Sequence, residues 1–88
     1  MPNHKSAIKR VRRNEKRRIR NRHILSTTRT FVKRVRAAIS EGDAEAARAA
    51  LPAAVRALNV ASSKGVIHSN QASRRISRLT TAVNHLEG

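Results

Sequence analysis

The run RVRRNEKRRIRNR, Arg10 to Arg22, restricts what this chain can fold into more than any other part of it. Eight of its thirteen residues are Lys or Arg, Glu15 is its one acid, and Val11 and Ile19 are its sizeable apolar side chains. Arg and Lys favour helix and neither Gly nor Pro intervenes, so the local preference is helical. Such a helix has no apolar face wide enough to dock on a core. The pairs Arg12–Lys16, Arg13–Arg17, Lys16–Arg20 and Arg18–Arg22 put like charges four apart, each costing an isolated helix about 0.2–0.5 kcal/mol. A polyanion removes that repulsion and adds attraction. The alternative is a solvated charged tail.

The charge is concentrated, not spread. Of the 20 Lys and Arg against 5 Asp and Glu, residues 1–36 hold 14 cations and only Glu15, while residues 37–88 hold 6 cations and 4 acids. A strongly basic start thus leads into a nearly neutral remainder, and 88 residues suggest one domain, with residues 1–23 as the basic arm and residues 24–88 as the helical body. Charge blocks of this kind meet nucleic acid or, less often, an anionic membrane surface. So short a chain has little stability to spare, and a partner matters to its order.

Other classes fall away on residue type. The absence of cysteine excludes disulfides, cysteine zinc sites and thiol chemistry. No apolar run reaches signal-peptide or transmembrane length. The Arg-rich start is faintly like a transit peptide, but Arg12 to Arg22 lacks the amphipathic apolar face those need; a cytoplasmic protein is expected. His4, His23, His68 and His85 show no metal-ligand spacing and no neighbouring carboxylate. Asp43 and Glu45 sit where negative charge complements a helix N-terminus. No enzyme, cofactor, metal or small-molecule substrate is expected, nor a homo-oligomer.

Apolar spacing outlines an all-α chain. A first helix spans about Ser6 to Ser40, with a stripe of Leu25, Thr28, Val32, Val35 and Ile39 widened by Ile24, Phe31 and Ala38. Gly42 reads as its left-handed cap and Asp43 as the next N-cap. The second helix, about Ala44 to Ser62, carries Ala47, Leu51, Ala54, Leu58 and Ala61 in a phase that survives Pro52, which implies a kink rather than two helices. The third runs from Ser69 or Asn70 to about Leu86 on Ala72, Ile76, Leu79, Val83 and Leu86. Short connections make this a three-helix bundle with a long, basic, extended first helix.

One Phe and no Tyr or Trp rule out the aromatic platforms of sheet-based single-strand binders. Arg and Lys on helices, with Asn, Ser and Thr between them, suit phosphate and sugar contacts on a folded, mostly double-helical target. Asn14 and Asn21 are placed to read base or 2′-hydroxyl edges, or to stand idle. In KGVIHSNQASRRISRL, Lys64 to Leu79, Arg74, Arg75 and Arg78 lie off the apolar stripe, open to an external anion. His68 suits a turn-stabilising role and a phosphate contact equally.

These two stretches together resemble the bacterial small-subunit ribosomal protein family numbered twenty. Its opening is similar to PNHKSAIKRVRRNEKRRIRNR, leading to a helix with an RT pair, here Arg29-Thr30, and Lys33. Its later signature, G-hydrophobic-IH-x-N-x-A-x-R-x-x-S-R-L, is matched by Gly65 to Leu79, with Ser69 and Gln71 where the family commonly has lysine. The likeness covers nearly the whole chain and is weak from Asp43 to Val60. It implies a three-helix bundle bound directly to 16S ribosomal RNA in the small ribosomal subunit, joining early and holding separate RNA domains together. The implied RNA-facing residues are Asn3, Lys5, Ser6, Lys9, Arg10, Arg12, Arg17, Arg18, Asn21, Arg29, Lys33, His68, Asn70, Arg74, Ser77 and Arg78. A DNA-compacting protein and a membrane-active cationic helix are the rivals, and the second needs an apolar face on the basic segment.

Overall fold

A computed structural model describes residues 4–87, with side chains described from Ala7 to Leu86. Three helices follow in order: α1 (His4–Ser40), α2 (Ala44–Ser63) and α3 (Ser69–Glu87), with no strand among the described residues. The ends differ from the spacing-based expectation by one or two residues, the usual scatter of frayed termini.

The joints form where the residue types demand them. Gly42 adopts φ +72°, and the Gly42 and Asp43 N–H groups donate to the Ile39 and Ala38 carbonyls, both at 3.0 Å. This pair of bonds is the Schellman closure of α1. Asp43 then opens α2, its side chain accepting the Ala46 N–H at 3.0 Å. The pattern repeats at Gly65, φ +74°, where Gly65 and Val66 N–H reach the Ser62 and Ala61 carbonyls. Ile67 follows into the core and locks that turn by burial. Pro52 withholds one N–H from the ladder, yet α2 stays a single helix around it.

The helices pack with α2 in the middle. It lies against both α1 and α3, which touch each other only sparingly. Ala47, Ala54, Leu58 and Ala61 of α2 are wholly buried, and the small alanines permit close approach from both sides. Val32, Val35 and Ala38 of α1 and Ala72, Leu79 and Val83 of α3 complete the core. Ile24, Leu25, Ile39, Leu51, Ile76 and Leu86, also on the expected stripes, are half-buried at its margins. Thr28 is the one buried polar side chain among the described residues, its Oγ1 donating to the Ile24 carbonyl at 2.8 Å.

Only the second half of α1 joins this core. A helix of 37 residues is about 55 Å long, and the molecule measures 67 × 21 × 15 Å. The radius of gyration, 17.7 Å, compares with about 12 Å for a compact chain of this length. The difference is the projecting start of α1.

Candidate nucleic-acid interface

Every side chain from Ala7 to Arg20 is exposed, and burial starts with Asn21, Ile24 and Leu25. At 3.6 residues per turn, Lys9, Arg10, Arg12, Arg13, Lys16, Arg17 and Arg20 fall within an arc of about 160°. Arg13, Lys16, Arg17 and Arg20 line a shallow seat of about 260 Å³ on that face. It is built from cations alone, so it suits an anion of extended shape such as a phosphate backbone.

Arg18 and Arg22 point to the other side and begin a second basic surface. With Asn21, Leu25, Ser26, Arg29, Thr30 and Lys33 they line a groove of about 630 Å³ along α1. A further groove, also about 630 Å³, opens between α1 and α3, where Arg29, Lys33 and Arg36 face Arg75 and Arg78 over a floor of Val32, Ile39 and Leu79. Arg29 and Lys33 belong to both grooves, so the two form one cationic track. It exists because α1 and α3 flank α2 without closing on each other. The groove between α1 and α2 differs: Ile24, Phe31, Pro52 and Val60 line it, with only His23 and Arg56 as ionisable residues.

Asn21 lies in the track with its Oδ1 buried and accepting no hydrogen bond among the described residues. Buried polar atoms are normally paired, so this carbonyl is short of a donor. Arg34 is engaged differently, its guanidinium stacking 5.3 Å from the centre of the Phe31 ring.

The expected site residues therefore separate into groups. Arg18, Asn21, Arg29, Lys33 and Arg78 share the track. Lys9, Arg10, Arg12 and Arg17 occupy the cationic face of the arm. Arg74 and Ser77 are exposed on α3 away from the groove, and His68 and Asn70 form the turn that opens α3. Asn3 and the side chains of Lys5 and Ser6 lie outside the described residues. Arg13, Lys16 and Arg20 on the arm's cationic face, and Arg22, Arg36 and Arg75 in the track, were missing from the expected set. Arg36 was detectable, since it follows Arg29 and Lys33 by seven and three residues and so shares their helix face. Arg75 was visible only as one of three exposed arginines.

Among the described residues there is no grouping of His, Asp or Glu fit for a metal ion, and no helix long and apolar enough to cross a membrane. A small helical bundle with a projecting basic helix and a cation-lined track belongs to the class of structural, polyanion-binding proteins. Comparison with known proteins makes this specific. The family described as ribosomal protein S20 matches residues 2–84, and the chain belongs to that family. Small ribosomal subunit protein bS20 of Geotalea uraniireducens is 59% identical, with 98% of this chain and 99% of the relative covered. The protein of that name from Geobacter sulfurreducens is 55% identical over the same shares. That of Halalkalibacterium halodurans is 51% identical, covering 96% and 92%.

Proposed function

We propose that this chain is a structural constituent of the small ribosomal subunit, acting in the cytoplasm as one RNA-binding domain. It binds 16S ribosomal RNA directly and stabilises its folding during subunit assembly. Residues 1–23 form the RNA-clamping arm and residues 24–88 the helical body. The expected RNA-facing residues, from Asn3 through Arg18 and Arg29 to Arg78, contact that RNA, and Arg22, Arg36 and Arg75 join them. Its contribution is positional: cations held on rigid helices neutralise phosphates and restrain the backbones between which the helices lie.

The observation that carries this reading is the track in which Arg29 and Lys33 are common to two grooves and Arg75 and Arg78 close the far wall. The opposite face of the arm carries its own cations. One helix thereby offers phosphate-binding surfaces on two sides, as a protein that holds two RNA segments together requires.

Binding measured over a salt titration tests the reading. Neutralising about 6–10 phosphates gives log K against log salt a slope of about −4 to −9. Folded 16S RNA should be bound more tightly than duplex DNA at each salt concentration. A slope shallower than about −2, or equal affinity for DNA, would contradict it.

A further inference from the structure

Phosphate contacts leave one surface of the arm unexplained. Ile8, Val11 and Ile19 are 47%, 58% and 66% exposed. With Glu15 they fall on a strip about 80° wide, roughly 145° around α1 from the core-facing residues Thr28, Val32 and Val35. The strip is therefore no continuation of the core stripe, and neither α2 nor α3 covers it, since every side chain from Ala7 to Arg20 is exposed. Its acid disfavours a phosphate directly above it. Large aliphatic side chains grouped on a charged helix mark a surface that is covered in use.

We propose that this strip seats in the minor groove of an RNA double helix. Its aliphatic side chains lie against sugars, and the Glu15 carboxylate accepts hydrogen bonds from 2′-hydroxyls or guanine amino groups. The inference rests on the RNA-binding function proposed above and adds how the duplex lies. Arg12 borders the strip on one side and Arg18 on the other, with Arg22 in line with it one turn beyond Ile19, so its occupant is anionic at the edges and less polar between them. The minor groove of A-form RNA is wide and shallow, with sugars exposed between two phosphate backbones, whereas its major groove is too narrow to admit a helix face. Along the axis, the strip runs into the track at Arg18, Arg22 and Arg29. A duplex whose backbone is held there passes over Ile19, Val11 and Ile8.

The variant Ile8→Gln/Val11→Gln/Ile19→Gln tests this, because Gln sustains helix and no core contact is altered. Its thermal melt should match wild type. Affinity for 16S RNA should fall about tenfold or more with the salt slope unchanged, since no phosphate contact is lost. Hydroxyl-radical footprints should lose the protected riboses beside the arm. Lys9→Ala/Arg13→Ala, by contrast, should flatten the slope. Wild-type affinity and footprint in the triple variant would overturn the proposal while leaving RNA binding intact. A flattened slope in the triple variant would overturn it too, by showing that the strip acts through phosphates. Failure of the wild-type protein to bind 16S RNA would refute the parent reading instead.

Discussion

The Nδ1 atom of His68 accepts the backbone N–H of Asn70 at 3.1 Å, while the His68 carbonyl accepts that of Ala72 at 3.1 Å. The imidazole thereby caps α3. His68→Ala should lose about 1 kcal/mol of stability, lowering Tm by about 4–8 °C. His68→Asn should recover most of that, because Asn is a good N-cap. Melting curves and salt-titrated RNA binding on both variants check the assignment. A flattened salt slope in the Asn variant would make His68 a phosphate contact as well as a cap.

Gly42 closes α1 at φ +72° with nothing within 4 Å of where a Cβ would stand. Gly42→Ala should therefore cost about 1–2 kcal/mol through backbone strain alone. Gly42→Asn should cost less, since Asn tolerates the left-handed region. Equal Tm for wild type and the Ala variant would show that the turn relaxes out of this conformation.

The arm has only its own hydrogen-bond ladder to hold it. Amides of residues 7–20 should exchange rapidly in the free protein, because like charges four apart weaken a helix without tertiary support. Amides of the buried stretch from Thr28 to Ala38 should exchange slowly. Adding 16S RNA should protect the arm. Strong protection there in the free monomer would defeat the like-charge argument.

Arg75 and Arg78 wall the track, whereas Leu79 is buried beneath them. Arg75→Ala/Arg78→Ala should leave Tm nearly unchanged, weaken RNA binding, and reduce the magnitude of the salt slope by about two. Leu79→Ala should instead cost about 2–5 kcal/mol of stability and impair binding only through loss of the body. Destabilisation by the arginine pair with an intact slope would make those residues structural.

What the sequence settled by itself is whatever depends on near neighbours along the chain. The stripes from Leu25 to Ile39, Ala47 to Ala61 and Ala72 to Leu86 follow the helical period, so each buried face was legible. Gly42 and Gly65 were legible as caps because few other residues adopt positive φ at low cost. Family membership was legible from Pro2 to Arg22 and Gly65 to Leu79. The union of Arg36 with Arg75 and Arg78 was not, because the partners stand on separate helices with the whole of α2 between them. Their meeting depends on α2 lying centrally, with Ala47, Ala54 and Ala61 allowing close approach, and on the rotation of α3 about its own axis. Periodicity says which face of a helix is buried but not which neighbour it meets. Only the packing of three helices decided that two stretches of exposed arginine became the walls of one groove.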